Sequence, residues 1–336
     1  MKQVQFDLFA FSRFRNELMG VATLLIILCH ATKFNLVMPS WLFTLLGNCG
    51  AGVDIFLFLS GMGIFNSYAK REVIRMPIYK WLWKRYLRII IPCAFFIVPL
   101  TALESLLSSS EEIDIIGTLL NLSGFGFLFG KGALWFVTCI LLLYLITPII
   151  NKLMKSKNKY LYTYFLCIAS LLFGYIHFSE NGAICKLQFI LCRFPSYFIG
   201  YAMAKEIKNQ QNVAVWKLVL LPFLCYGLFF MLNHSLGTHF SLFWLQGMFL
   251  ISFVTLILKN NIVSKCFVSL RFLGSVSLES YATNIMVIPL FFGDYSFMCI
   301  DSYSGRWGRY VIGTLFCLAI SFIVNRLSKY LIKQIV

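Results

Sequence analysis

Ten apolar runs, each about 18–25 residues long, leave this chain few folds to choose from. In hydrocarbon every backbone N–H and C=O must find its partner within the protein, so only helices and closed barrels cross a bilayer. At 1.5 Å per residue these runs have the length of spanning helices. They fall at 17–36, 43–67, 88–107, 133–151, 160–178, 187–204, 214–232, 240–258, 273–292 and 310–328. Hydrophobic residues make up 60% of the 336 and charged residues only 12%, against about a quarter charged in a soluble domain. The expected fold class is all-α: a polytopic membrane helix bundle of about ten transmembrane helices, forming one domain over residues 1–336. Residues 113–130, IDIIGTLLNLSGFGFLFG, are apolar but interrupted by four glycines, and read as a re-entrant or interfacial segment.

The net charge of +16 does not point to nucleic acid, because the basic residues sit in short clusters between apolar runs. With the N-terminus inside, 23 of the 29 Lys and Arg fall on inner segments and five on outer ones, with Arg193 inside a span. Cytoplasmic loops carry such an excess, so both termini are expected to be cytoplasmic. The first run lacks a small-x-small cleavage site and is expected to be a permanent span rather than a signal peptide. The eleven Cys lie mostly in apolar runs with no CxxC and no Cys/His cluster, so no metal site is expected.

Ionisable groups inside spans are costly, and mark function by default. His30 ends the apolar stretch MGVATLLIILCHA, roughly 20 Å above the start of its span. Asp54 in GAGVDIFLFLSG lies roughly 16 Å below the start of the next. The two are expected within reach of each other, where the carboxylate would fix the imidazole tautomer for a general base. The competing reading is a structural hydrogen bond between two helices. Glu279, near an inner end, reads as a solvated carboxylate, and His177, His234 and His239 fall near outer loops.

Three arginines invite a further reading. Arg85 and Arg88, spaced i, i+3 in the cytoplasmic segment KREVIRMPIYKWLWKRYLR, share a helix face and suit a phosphate clamp; an interfacial lipid anchor is the alternative. Arg193 in CRFPSYFIG is placed either to bind an anion or to snorkel to the inner face. Glycines at 50, 52, 61 and 63 suit close helix packing.

Five segments in order resemble the acyltransferase 3 family of integral-membrane acyltransferases that modify cell-surface carbohydrates. They are NELMGVATLLIILCHA (16–31), GVDIFLFLSG (52–61), RYLRIIIP (85–92), ALWFVTCILLLYLITPII (133–150) and LGSVSLESYATN (273–284). Two departures stand out. The family typically has arginine eleven residues before the histidine, where this chain has Met19, and Arg15 one turn earlier is expected to take over. Asn284 stands where many members carry histidine in the late motif.

The resemblance implies a membrane O-acyltransferase, by preference an O-acetyltransferase, in the inner (cytoplasmic) cell membrane. Its donor would be cytoplasmic acetyl-CoA or another acyl-CoA, with no metal. Its acceptor would be a hydroxyl of an extracytoplasmic glycan or a lipid-linked sugar. On this reading His30, Asp54 and Asn284 are catalytic, with His30 as general base or as carrier of a covalent acyl group. Asn284 or Tyr281 would donate to the oxyanion. Arg15, Arg85, Arg88 and Arg193 would bind the donor, while Trp135 and Tyr144 line the acceptor side and Tyr281 contacts substrate. The rival reading is a non-catalytic exporter or flippase of lipid-linked sugars, against which the lack of an internal repeat counts.

Overall fold

The computed structural model describes residues 5–107, 114–175, 182–236, 242–260, 267–292 and 303–335. Helices dominate from the N-terminus on: α1 (Ala10–Arg13), α2 (Arg15–Ala31), α3 (Ser40–Asn48), α4 (Gly52–Val73) and α5 (Ile78–Leu107). Then come α6 (Ile115–Leu122), α7 (Trp135–Met154), α8 (Lys159–Tyr175), α9 (Ala183–Leu191) and α10 (Phe194–Lys208). The last third holds α11 (Val215–Leu218), α12 (Leu220–Leu236), α13 (Phe243–Leu258), α14 (Val268–Ser275), α15 (Ser277–Met286) and α16 (Tyr303–Ile335). A short antiparallel pair, β1 (Gln5–Asp7) with β2 (Asn212–Ala214), ties the N-terminal segment to the chain after α10, with Phe6 opposite Val213.

The all-α class holds, but the spans differ from ten unbroken helices. Among the described residues four stretches are long and apolar enough to cross a membrane: Ser40–Val73, Ile78–Leu103, Trp135–Met154 and Arg306–Ile335. Lys159–Gly174, Val215–Leu228 and Phe243–Leu258 are apolar but shorter. Two expected spans are broken. The run at 187–204 stops at Leu191 and restarts at Phe194, with Pro195 in the first turn of α10, where its missing N–H costs nothing. The run at 273–292 straddles the end of α14, breaks at Val276, continues as α15 and ends in a 3₁₀ turn at Ile288–Phe291. Pro92 and Pro99, by contrast, lie within α5 without ending it.

From residue 114 the glycine-broken segment forms α6 and then turns, with positive φ at Gly124 (+81°) and Gly130 (+74°). Its two ends meet where Lys131 Nζ bonds Asp114 Oδ2 at 2.7 Å. Its tip enters the bundle, where Thr138 Oγ1 donates to the Gly124 carbonyl at 2.7 Å.

Two glycine-to-backbone crossings set the centre. A Cβ on Gly61 would lie 2.3 Å from the Tyr197 carbonyl oxygen, and one on Gly200 would lie 2.1 Å from that of Phe58, so α4 and α10 touch backbone to backbone. The same reciprocity joins α2 and α14: a Cβ on Gly20 would meet the Leu270 oxygen at 2.0 Å, and one on Gly274 the Asn16 oxygen at 2.0 Å. Small residues at helix crossings permit such an approach where dispersion, rather than water exclusion, must hold helices together. Phe58, Leu59, Tyr197 and Tyr201 are fully buried around the first crossing. Phe43, Leu145, Phe165, Leu224 and Leu315 point outward, as lipid-facing side chains do.

Candidate active site

His30 lies in the last turn of α2 and is buried. Its Nδ1 is hydrogen-bonded to Oδ1 of Asn284, near the end of α15. A carbonyl oxygen only accepts, so the bond puts the proton on Nδ1 and leaves the lone pair on Nε2. Asn284 is itself buried, and its Nδ2 makes no hydrogen bond among the described residues. The Tyr310 hydroxyl of α16 donates to the Ile27 carbonyl one turn below His30, which fixes α16 against the same face of α2. The Phe34 ring lies above, stacked on Phe292 at 4.7 Å and 5.6 Å from the Tyr310 ring.

Asp54 is not the partner of this imidazole. Its carboxylate is ion-paired with Arg193 and accepts from Ser196 Oγ at 2.9 Å, in a fully buried knot between α4 and α10. Arg193 Nη1 also donates to the Gly50 carbonyl at 3.4 Å, and its guanidinium lies 4.1 Å from the Phe243 ring centroid and 5.9 Å from that of Trp135. So Arg193 neither snorkels nor joins the other arginines. It sits where the backbone breaks between α9 and α10, near the α2 turn that carries His30: a Cβ on Gly50 would touch Cys29 Sγ at 3.5 Å. The carboxylate of Asp54, the Gly50 carbonyl and the Phe243 ring face give it reasons to stay inside.

The other three arginines gather at the opposite end of α2, about 22 Å from His30 by helical rise. Arg15, in the first turn of α2, comes within 3.5 Å of where a Gly63 Cβ would stand. One turn further along α4, Ser67 Oγ takes a hydrogen bond from the Arg85 guanidinium, which lies over the Trp81 ring. Arg88 and Arg15 are both within electrostatic reach of Arg85. Tyr144 belongs here too. It packs edge-on to Trp81 at 6.3 Å and faces the charges of Arg85, Arg15 and Arg88, so it lies at the arginine end and not beside Trp135.

A cleft of about 790 Å³ opens at this end. Arg15, Met19 and Arg88 line it from α2 and α5, and Ser277 and Glu279 from the first turn of α15. Arg15 thus shares a wall with Met19 and can present its charge where that residue cannot. Asn325, Lys329 and Lys333 of α16 close the far side. Sequence reasoning passed over the two lysines, although their i, i+4 spacing on the last long helix was visible. Glu279 is not solvated as expected: it is 5% exposed and its Oε1 accepts from Asn325 Nδ2 at 2.8 Å. Arg85, turned to Ser67, is behind the cleft wall.

Tyr281 is buried, and its hydroxyl accepts from the Phe136 backbone N–H at 3.1 Å. That N–H is one of the orphan donors at the start of α7, so Tyr281 caps that helix. Trp135 packs edge-on to Phe189 at 4.9 Å and beside Arg193. His177 and His239, and the side chain of His234, lie outside the described residues.

The arrangement is a buried imidazole, bonded to Asn284 through Nδ1, at one end of α2 and a cationic cleft at the other. No match was found among curated proteins or among solved structures. A family model described as an acyltransferase domain matches residues 18–326, a span that takes in His30, the Asp54–Arg193 knot, Arg85, Arg88 and Asn284. Taken with the apolar helices, this match makes the chain a member of the acyltransferase 3 family of membrane acyltransferases.

Proposed function

We propose that the protein moves an acyl group, by preference acetyl, from cytoplasmic acyl-CoA to a hydroxyl of a glycan or lipid-linked sugar at the outer side of the inner membrane. In this reading ten segments embed in the bilayer and both termini face the cytoplasm, as the 23-to-five bias of basic residues favours. The observation that carries the reading is the separation on α2: the cleft with Arg15 and Arg88 at its base, and His30 held by Asn284 near its top. A donor with phosphates at one end and a thioester at the end of a long thin arm suits both.

The chemistry follows from the tautomer. His30 Nε2 takes the proton from the acceptor hydroxyl as its oxygen attacks the thioester carbonyl. The C–O bond forms, the carbonyl oxygen becomes an oxyanion, and the Asn284 Nδ2, which makes no hydrogen bond among the described residues, can donate to it. The intermediate then collapses, the C–S bond breaks, and the leaving thiolate recovers the proton from the imidazolium. Tyr281 accepts from the Phe136 N–H but keeps its own O–H proton, so its hydroxyl is a second donor for the oxyanion beside Asn284. Asp54 and Arg193 act on position, holding α4 to the break before α10 beside Cys29.

The test compares membranes holding wild type and His30→Ala at equal expression, incubated with radiolabelled acetyl-CoA, with label counted in the glycan and lipid-linked fractions. Label in wild type and none in His30→Ala is the expected result. Equal labelling in both would remove His30 from the chemistry, and no labelling in either would remove the donor or the acceptor.

A further inference from the structure

The cleft is more than an arginine clamp. Its far wall is α16, and the residues it offers are ordered by depth: Asn325 bonds Glu279, Lys329 lies one turn beyond, and Lys333 one turn beyond that. Helical rise puts Lys329 about 6 Å and Lys333 about 12 Å from the Asn325–Glu279 contact, moving away from the end that holds His30. On the near wall, Arg15 and Arg88 come from α2 and α5. The one carboxylate of the cleft, Glu279, is bonded to a neutral amide and quenches none of the four cations by direct contact. Neither lysine makes an ion pair among those of the described residues. The first turn of α15 also opens on this space, with no side chain capping its N–H groups.

Resting on the acyl-CoA reading above, we propose that Lys329 and Lys333 form the subsite for the 3′-phosphate of the donor's ribose, while Arg15 and Arg88 hold its diphosphate. The donor's own order of parts makes the assignment. From the thioester outward come the pantetheine arm, the diphosphate, and then the ribose with its separate phosphate. With the thioester directed to His30, the outermost cations meet the outermost phosphate. The residue types agree. A diphosphate suits the planar forks of arginine, whereas an exposed monoester suits the compact ammonium of lysine. The competing account of the lysines is that they answer the negative end of the α16 dipole. That role requires no ligand and distinguishes between no ligands.

The experiment exploits this difference. Purified protein is loaded with radiolabelled acetyl-CoA, which is displaced by CoA or by dephospho-CoA, lacking only the 3′-phosphate. Wild type is expected to prefer CoA by about tenfold, roughly 1.4 kcal/mol. The double variant Lys329→Ala, Lys333→Ala is expected to lose that preference by weakening CoA alone, leaving dephospho-CoA where it was. Lys329→Arg with Lys333→Arg keeps the charges and is expected to keep the preference. Equal displacement by both ligands in wild type, or a double variant weakened for both alike, overturns the subsite while leaving the acyl-CoA reading in place. Failure of labelled acetyl-CoA to bind wild type at all overturns both.

Discussion

Replacing Gly200 by Ala tests the crossing on which the site is hung. The new methyl would stand 2.1 Å from the Phe58 carbonyl oxygen, with the Phe58 carbonyl carbon at 2.8 Å. These are backbone atoms in mid-helix and cannot swing away. Reaching ordinary contact at 3.4 Å requires α4 and α10 to part by about 1.3 Å. The Ser196 to Asp54 hydrogen bond, now 2.9 Å, joins the same two helices one turn from Gly200 and would stretch past bonding range. Overpacking costs about 1–3 kcal/mol and the lost bond about 1 more, so a destabilisation of about 2–4 kcal/mol is expected. The control is Gly47→Ala on α3, where an added Cβ meets nothing within 4 Å. There the gain in helix propensity, about 0.5–1 kcal/mol, should show instead. Fluorescence-detected gel filtration after heating, on both variants in the same detergent, reads the difference. Gly200→Ala should lose its monodisperse peak at least about 4 °C below wild type, with Gly47→Ala at or above it. If the two variants melt together, α4 and α10 do not meet at carbonyl contact, and the account of the Asp54–Arg193 knot fails with it.

Four further outcomes are expected. Asn284→Ala should cut turnover by about 10–1000-fold with little change in donor affinity, since it removes both the orienting acceptor and the spare donor; an unchanged rate in the labelling assay would contradict both roles. Arg193→Ala, which strands the buried Asp54 carboxylate, should cost about 3–5 kcal/mol, and Asp54→Asn in the same background should recover part of it in the same heating assay. Arg88→Ala should raise the acyl-CoA KM about tenfold or more while kcat is spared, with a weaker salt dependence of binding. At the loop end of the glycine-broken segment, the Lys131 hydrogen bond and the Gly117 N–H hold the Asp114 carboxyl below its usual range. Its contribution is therefore full above the ordinary carboxylate pKa and fades as pH falls through the lower folded value; limited proteolysis near 114–131 should separate wild type from Lys131→Ala at neutral pH and converge in acid.

The helical class was legible because bilayer chemistry is coarse: apolar length reads as helix. Clustered Lys and Arg did not mark loops, since Lys80, Lys84, Arg85 and Arg88 lie within α5 and Arg326, Lys329 and Lys333 within α16. The breaks were harder. Pro195 announces a restart only if the run before it is known to have ended, whereas Pro92 and Pro99 announce nothing. The site residues divide in the same way. His30 was legible because imidazole in an apolar run has no cheap explanation. Its partner was not, since Asp54 and Asn284 are equally plausible by depth and only the lateral order of helices chooses between them. Arg193 was assigned to the phosphate end on charge alone, and Tyr144 to the acceptor end on its aromatic character. Both errors come from reading side-chain type without knowing which neighbour lies across the groove. Glu279 looked solvated because distance to the interface was all the sequence offered, and Asn325, which makes its burial tolerable, lies 46 residues away.

The helix that ties these pieces together is the shortest to touch all of them. In ten residues α15 opens its first turn on the cationic cleft, caps α7 through Tyr281 and bonds His30 through Asn284. It is separated from α14 at Val276, so it is free of the glycine crossing that locks α14 to α2. A short helix separated from its neighbour by a break can shear by a small amount together with the helix it is bonded to, here α16 through Glu279 to Asn325 at 2.8 Å and Thr283 to Ser321 at 3.0 Å. A ligand held by the cations of the cleft and touching Ser277 would therefore press on the same element whose far end holds the His30 imidazole. Tyr281→Phe separates packing from that linkage. It keeps the ring but frees the Phe136 N–H, and an effect confined to kcat, with donor affinity unchanged, is the expected outcome. A matching loss of donor affinity would show instead that Tyr281 serves the cleft directly and that α15 carries no such displacement.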